Sequence, residues 1–282
     1  MKIAISTEST LDIPKELQKQ YDISVIPFTV ILGDKSGFDG DITPLEIFDY
    51  VDKTGILPKT SAVNEYQYDK HFTKLLRNYD AIIHISLSTG ISSACANAIH
   101  AASILKNVYI IDSQSLSTGI ALLAIYARKL ADKGLAPEQI VEKVEARIPF
   151  VQASFVINSL NYLYKGGRCS GLARFSAALF RIKPQIIVKD GKMAPAKKYT
   201  GRNEKTVAAY CADTLEEFNN PDLSLAFVTH SHATPEMVEI AKQALKDRGF
   251  KTIYETTAQA TITSHCGPKT LGILFINDGL TD

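Results

Sequence analysis

Short apolar strand patterns alternate with helical patterns through the first half of the chain, and this alternation constrains the fold most. Residues 2–6, 81–87 and 108–111 are apolar runs typical of buried strands. Residues 43–46 (Thr-Pro-Leu-Glu) form a capping box that begins one intervening helix, and Asn64 is placed to begin another. Repeated strand–helix units predict a parallel sheet with helices on its faces.

The second half of the chain is less regular. Residues 151–157 form an apolar strand pattern, and the strand patterns 185–188 and 193–199 are joined by Asp190-Gly191, which is typical of a tight hairpin. With 282 residues, the chain is long for a single core. We therefore predict an α/β domain with a parallel, helix-flanked sheet over residues 1–150. An α+β domain with a mixed or antiparallel sheet is predicted over residues 151–282.

Charge and composition exclude several classes of protein. The 31 Lys and Arg nearly balance the 30 Asp and Glu, and no basic stripe stands out, so we predict no nucleic-acid partner. Four scattered cysteines without a Cys-x-x-Cys pair predict free thiols and no metal site. The sequence lacks a Gly-x-Gly-x-x-Gly fingerprint and a charge-free apolar run of bilayer length. We therefore predict a cytoplasmic protein without a metal or nucleotide cofactor.

A hydroxyl-rich turn at residues 88–93 (Ser-Thr-Gly-Ile-Ser-Ser) lies between a predicted strand and a small-residue helix. Such a turn presents unpaired N–H groups and the positive end of a helix dipole, so it predicts an anion site. Ser92 also resembles the nucleophile of a serine hydrolase, and the chain order permits a triad with Asp112 or Asp190 and then His265. The turn is looser than a nucleophile elbow, however, and Ser92 could simply cap the helix.

Other candidate residues are scattered along the chain. We interpret residues 263–268, which include His265, as a loop between two apolar strands, where the imidazole is a donor or a base. Residues 59–61 (Lys-Thr-Ser) are interpreted as a loop, and Gly166-Gly167-Arg168 as a surface turn.

Together these segments resemble the DegV family of fatty-acid-binding proteins, which includes the binding subunits of bacterial fatty acid kinase. The resemblance covers essentially the whole chain. It rests on five segments in the family's order, namely residues 3–10, 58–61 (Pro-Lys-Thr-Ser), 88–92, 162–168 with 182–184, and 265–268 (His-Cys-Gly-Pro).

The resemblance implies a non-catalytic, lipid-binding role in phospholipid synthesis. Ser61 and Ser92 would hold the carboxylate of a long-chain, palmitate-like fatty acid, with His265 nearby, and the acyl chain would run into a tunnel between the domains. The partner would be the catalytic subunit of a fatty acid kinase, which forms an acyl phosphate. Arg168 and Arg202 would contact that partner or the phosphoryl group. A transient contact with the membrane surface is a further expectation.

Two alternative functions remain open from the residues alone. The first is a serine esterase or thioesterase with Ser92 as nucleophile and His265 as base. The second is a sensor of a small anion that uses the same turn. A bound lipid after purification would favour the carrier, whereas labelling of Ser92 by a fluorophosphonate would favour the hydrolase.

Overall fold

The structure, a computed structural model, describes residues 1–169 and 182–280. The elements of the first half are β1 (Ile3–Glu8), α1 (Lys15–Gln20), β2 (Ile23–Ile26), β3 (Thr29–Leu32), β4 (Lys35–Phe38), α2 (Pro44–Thr54), β5 (Lys59–Ser61), α3 (Glu65–Leu76), β6 (Ala81–Ser86), α4 (Ala94–Ala102), β7 (Val108–Asp112), α5 (Thr118–Asp132) and α6 (Pro137–Arg147). A 3₁₀ turn, Ser9–Leu11, follows β1, and a second, Ile148–Phe150, follows α6.

The second half begins with β8 (Val151–Val156). It continues through α7 (Asn161–Gly166), β9 (Lys183–Lys189), β10 (Lys192–Tyr199), α8 (Asn203–Glu217), β11 (Leu225–Ser231), α9 (Pro235–Arg248), β12 (Thr252–Thr257), α10 (Ala260–Cys266) and β13 (Thr270–Ile276).

The described strands form three sheets. A four-stranded parallel sheet has the order β2-β1-β6-β7, and a six-stranded mixed sheet has the order β10-β9-β8-β13-β11-β12. The predicted fold class, a parallel α/β sheet followed by an α+β part with a mixed sheet, is therefore confirmed. The division of the chain at residue 150 stays a prediction.

Helix α5 joins the two larger sheets. Ten of its 15 residues are buried, because the helix packs against β1 and β6 on one side and against β8, β11 and β13 on the other. The part of the helix that is covered on both sides has no polar face, which explains its run of Ile, Leu and Ala, whereas the charged residues Arg128, Lys129 and Asp132 lie in the last turns. The largest core therefore extends from the parallel sheet across α5 to Phe155, Phe227 and Leu274 of the six-stranded sheet.

The third sheet, β4-β3-β5, corrects two predictions. The apolar pattern of residues 23–32 predicts one strand interrupted by Pro27. These residues instead form β2 and β3 in different sheets, and the chain changes sheet at Pro27, which has no N–H to donate. Residues 59–61, predicted as a loop, form β5, which pairs with β3. A three-residue strand is too short to show an alternating pattern, so only its pairing partner reveals it.

The predicted helix starts in the first half agree with the structure. Thr43 forms the capping box of α2 with Glu46, and the Asn64 side chain accepts a hydrogen bond from the Gln67 N–H at the start of α3. In the residues that the structure covers, no helix is both long enough and apolar enough to span a bilayer.

Candidate functional site

A cavity of about 660 Å³ lies between the carboxyl ends of the parallel strands and one face of the six-stranded sheet. Its volume is in the range of small-molecule sites. The described wall includes the turn at residues 89–93, β5 and the inner side of α10. Much of the remaining wall is apolar and includes Phe28, Leu87, Leu116, Phe155, Leu163, Met193 and Leu274.

Contacts from both halves of the chain fix the hydroxyl-rich turn. The Ser88 hydroxyl donates to the carbonyl of Gly191 at 2.7 Å, and the Thr89 hydroxyl donates to Asp112 at 2.6 Å. A Cβ at Gly90 would lie 2.3 Å from the Gly191 carbonyl oxygen, so only glycine permits this approach. The turn therefore packs directly against the β9–β10 hairpin. The tight connection of this hairpin at Asp190-Gly191 was predicted from the sequence.

Ser92 lines the cavity just before α4 and is half-buried. Its side-chain oxygen accepts a hydrogen bond of 3.2 Å from the Ala94 N–H, and its own N–H donates to the Ser88 carbonyl. The bond from Ala94 uses the hydroxyl oxygen as an acceptor and leaves the hydroxyl proton for another partner. Ser92 is thus placed at the start of a nine-residue helix with a donor beside the cavity.

His265 lies in the last turn of α10, not in a loop between strands as the sequence analysis expected. Its Nε2 is 2.8 Å from the hydroxyl oxygen of Thr60 in β5, and both residues line the cavity. Ser61 follows Thr60 and is one of the two serines that the family resemblance implies for the carboxylate. It also lines the cavity, although it is exposed. Thr60 is therefore the residue of the Pro-Lys-Thr-Ser segment that contacts the imidazole, a contact that was not predicted from the sequence.

The imidazole of His265 is neutral at neutral pH. Burial lowers the pKa of His265 to about 4, and the positive charge of Arg168 contributes. Its Nδ1 is buried, and none of the described residues hydrogen-bonds it. A Cβ at Gly166 would lie 2.9 Å from this atom, so α7 packs directly on the ring. His265 therefore supplies no positive charge to the cavity, and its hydrogen bond with Thr60 fixes the position of that hydroxyl.

This geometry does not assemble a hydrolytic triad. The Nε2 atom of His265 contacts Thr60 rather than Ser92, and among the described residues no carboxylate contacts the ring. Asp112 accepts hydrogen bonds from Thr89 and from the Gln114 N–H instead. A base needs a third group that fixes its orientation, so the esterase alternative lacks a structural basis in these residues.

The two predicted arginines differ in position. Arg168 is exposed, lines the cavity and donates to the Gly166 carbonyl at 2.6 Å. Arg202 is exposed just before α8 and does not belong to the described cavity wall. Within the described ranges no group of three or more His, Cys, Asp or Glu side chains could hold a metal ion.

The buried carboxylate of Glu8 binds the residue that precedes the hydroxyl-rich turn. Glu8, at the end of β1, accepts hydrogen bonds from Tyr68 and Ser86 at 2.5 Å, from His84 at 3.0 Å and from the Leu87 N–H at 2.9 Å. Burial raises the pKa of Glu8, but His84 and the hydroxyl donors outweigh this, so the net pKa is below the ordinary value. Glu8 therefore fixes the position of Leu87, the residue that precedes the hydroxyl-rich turn.

The same network reaches His71 in α3. His84 Nδ1 contacts the Ser6 hydroxyl at 3.0 Å, and that hydroxyl contacts His71 Nε2 at 2.8 Å. Burial lowers the pKa of His71 to about 4, with contributions from His84 and Lys74.

We expect His71 to make the protein less stable as the pH falls. The unfolded chain takes up a proton near pH 6.5, whereas the folded chain does so only near pH 4, so stability is lost across that interval. The loss attributable to His71 between pH 7 and pH 5 is about 2 kcal/mol. Urea unfolding at both pH values should show a smaller difference in H71Q than in the wild type. An equal difference in the two proteins would contradict this assignment.

The chain is similar to known proteins over its whole length. A family model described as "Uncharacterised protein, DegV family" matches residues 2–278. A DegV domain-containing protein of Clostridium acetobutylicum is 31% identical over 280 residues, which is 98% of both chains. The crystal structure of DegV, a fatty acid binding protein from Bacillus subtilis, has a TM-score of 0.86 at 27% identity and covers 99% of this chain and 100% of its own.

A second solved structure gives the same result. The crystal structure of a stearic acid-binding protein from Eubacterium ventriosum has a TM-score of 0.85 at 25% identity, and the match covers 98% of this chain and 99% of that one. The resemblance inferred from five short segments is therefore confirmed over the entire chain. This protein belongs to the DegV family.

Proposed function

We propose that this protein binds a long-chain, palmitate-like fatty acid in the cavity between residues 1–150 and residues 151–282. The observation that carries the proposal is the composition of the cavity wall. Thr60, Ser61, Ser92 and His265 contribute hydrogen-bonding groups to it, and much of the rest is apolar. The similar proteins from Bacillus subtilis and Eubacterium ventriosum, which bind fatty acids, support the same ligand class.

The physical chemistry of the wall suits a carboxylate with a long tail. Hydroxyl donors at a helix N-terminus stabilise an anion without a neutralising salt bridge. Each buried CH₂ contributes about 0.8 kcal/mol, so a saturated C16 chain gains on the order of 10 kcal/mol before ordering costs. The carboxylate therefore needs only to be oriented, since the tail supplies most of the free energy of binding.

In this proposal the protein is a carrier and contributes no catalytic residue. It presents the carboxylate to a separate fatty acid kinase, which phosphorylates it to an acyl phosphate for phospholipid synthesis in the cytoplasm. Arg168, exposed beside the cavity, and Arg202, exposed just before α8, contact the kinase or the phosphoryl group. Loading involves transient contact with a membrane surface. Incubation of the loaded protein with a fatty acid kinase and ATP tests this step through the appearance of acyl phosphate.

Mass spectrometry of the lipid extract tests the ligand directly. The protein is purified under native conditions and then denatured, and the organic extract is analysed. A near-stoichiometric long-chain fatty acid is the expected result. An empty extract, together with labelling of Ser92 by a fluorophosphonate, would instead favour the hydrolase.

We expect Ser92→Ala to weaken fatty-acid binding by about 10-fold or more, because one hydrogen bond to a charged group is worth about 1.5–3 kcal/mol. Isothermal titration of delipidated protein with stearic acid measures the change. Ser36→Ala, at an exposed position of β4, is the matched control and should bind like the wild type. An affinity of Ser92→Ala within twofold of the wild type would remove Ser92 from the carboxylate site.

A further inference from the structure

Helix α10 belongs to the second half of the chain but is held by the first. It connects β12 to β13 and packs against α7 of the same half, but it also packs against α2, β3, β5 and the 3₁₀ turn after β1. Its inner side contributes His265 and three further residues to the cavity wall. The position of the imidazole therefore depends on what anchors this short helix.

Two buried carboxyl groups of the first half anchor the start of α10. The Gln259 N–H donates to Oδ1 of Asp12 at 2.7 Å, and the Thr261 N–H donates to Oδ1 of Asp39 at 3.3 Å. Both aspartates are buried. N–H groups at the start of a helix have no partner within the helix, so these two bonds satisfy donors that would otherwise be unpaired.

The second oxygen of each carboxyl group holds another part of the cavity wall. The Ser117 hydroxyl donates to Oδ2 of Asp12 at 2.6 Å, and the Ser9 hydroxyl donates to Oδ2 of Asp39 at 2.9 Å. Ser117 lines the cavity with φ 53° and ψ −139°, a conformation that serine rarely adopts, so its bond to Asp12 offsets strain. Ser9 in turn accepts from the N–H of Phe28, which also lines the cavity.

Placing two carboxyl groups here is costly. Burial raises the pKa of Asp12 well above its ordinary value, hydrogen bonds from Ser117 and Gln259 oppose this, and the charge of Asp39 adds to it. Burial also raises the pKa of Asp39. A single serine would cap a helix start without this cost, but it could not also bind Ser117 on another part of the cavity wall.

We propose that Asp12, assisted by Asp39, is a positioning residue for fatty-acid binding, because it joins helix α10, which carries His265, to Ser117 on another part of the cavity wall. This role rests on the proposed function. Asp12 acts through the helix and through Ser117 and does not itself touch the ligand.

The test compares Asp12→Ala with Asp12→Asn. Asparagine keeps an oxygen for the Gln259 N–H and a polar group for Ser117, whereas alanine removes both. We expect the Kd for stearic acid to rise at least 10-fold in Asp12→Ala and to stay within about threefold of the wild type in Asp12→Asn. Asp39→Ala removes the second anchor, the bond from the Thr261 N–H, and should also raise the Kd for stearic acid. This variant provides the test if Asp12→Ala does not fold.

Two further measurements separate positioning from general destabilisation. Val228 of β11 belongs to a second core, which the six-stranded sheet forms with α8 and α9. Val228→Ala truncates this side chain and should lower the melting temperature without changing the Kd for stearic acid. In Asp12→Ala, the pKa of His265 measured by NMR should rise from about 4 toward 6.5, because the released helix exposes the ring to water. Unchanged stearic acid affinity and an unchanged His265 titration in the alanine variants would overturn the proposal.

The two proposals fail in different ways. If the delipidated wild type binds no stearic acid, the proposed function fails, and the role of Asp12 in fatty-acid binding fails with it, whatever the His265 titration shows. If the wild type binds stearic acid and the aspartate variants bind equally well, only the positioning role fails.

Discussion

Glu8→Gln is expected to lower the free energy of unfolding by about 3 kcal/mol. The glutamine has the same shape but replaces one acceptor oxygen by a donating NH₂ group. In the Oε2 position this group meets the Leu87 N–H, and in the Oε1 position it meets the donors of Tyr68, Ser86 and His84. At least one buried donor then loses its partner, and the negative charge beside His84 is lost. Urea unfolding followed by far-UV circular dichroism measures the change, because the chain has no tryptophan to report it.

Glu142→Gln is the matched control for this experiment. Glu142 is exposed on α6, so the same chemical change should alter the unfolding free energy by less than about 0.5 kcal/mol. If Glu8→Gln lowered the unfolding free energy by no more than Glu142→Gln does, the Glu8 carboxylate would not be the acceptor that fixes Tyr68, Ser86 and His84. The turn that follows Leu87 would then depend on its other contacts, which include Asp112 and the β9–β10 hairpin.

Arg147→Met is expected to destabilise the protein by about 3–5 kcal/mol. Arg147, at the end of α6, donates through Nε to Asp278 at 2.6 Å and through Nη2 to Asp222 at 2.9 Å. Its guanidinium also lies 4.6 Å from the ring centre of Tyr126. Methionine leaves two carboxylates, each less than a tenth exposed, without this cation, and unpaired buried charges are costly.

The control for Arg147 is Arg77→Met, an exposed position after α3, where the change should be within about 0.5 kcal/mol. Thermal and urea unfolding measure both variants. Because Asp222 and Asp278 come from the second half, we expect the Arg147 variant to loosen the contact between the two halves. A loss below 1 kcal/mol would show that water or other residues satisfy the two carboxylates.

Features that depend on neighbouring residues were predictable from the sequence. Thr43 and Asn64 cap their helices because the side chain and the N–H it accepts from are three residues apart. The Asp190-Gly191 hairpin is similarly local. The family resemblance added the order of the segments, which identified the whole chain, and it named Ser92 and His265, which both line the cavity.

Features that depend on remote pairing were not predictable. The strand β5 exists because β3 lies beside it, and α10 forms where Asp12 and Asp39 satisfy its first N–H groups. Thr60 looked like a loop residue, since nothing near it in the sequence indicates a bond to His265. The role of Glu8 was likewise not predictable, because its partners come from α3 and β6.

The bond between Thr60 and His265 joins residues 205 positions apart, and the turn that carries Ser92 is seated on a hairpin about 100 residues further along. During synthesis the ribosome therefore releases every element of the parallel sheet long before the imidazole emerges. A nascent chain that ends before α10 contains the cavity-lining hydroxyls of Thr60, Ser61 and Ser92 but lacks the part of the cavity wall that α10 forms. Under the proposed function, lipid capture therefore requires a chain that includes α10, and we expect a product truncated before α10 not to sequester fatty acid.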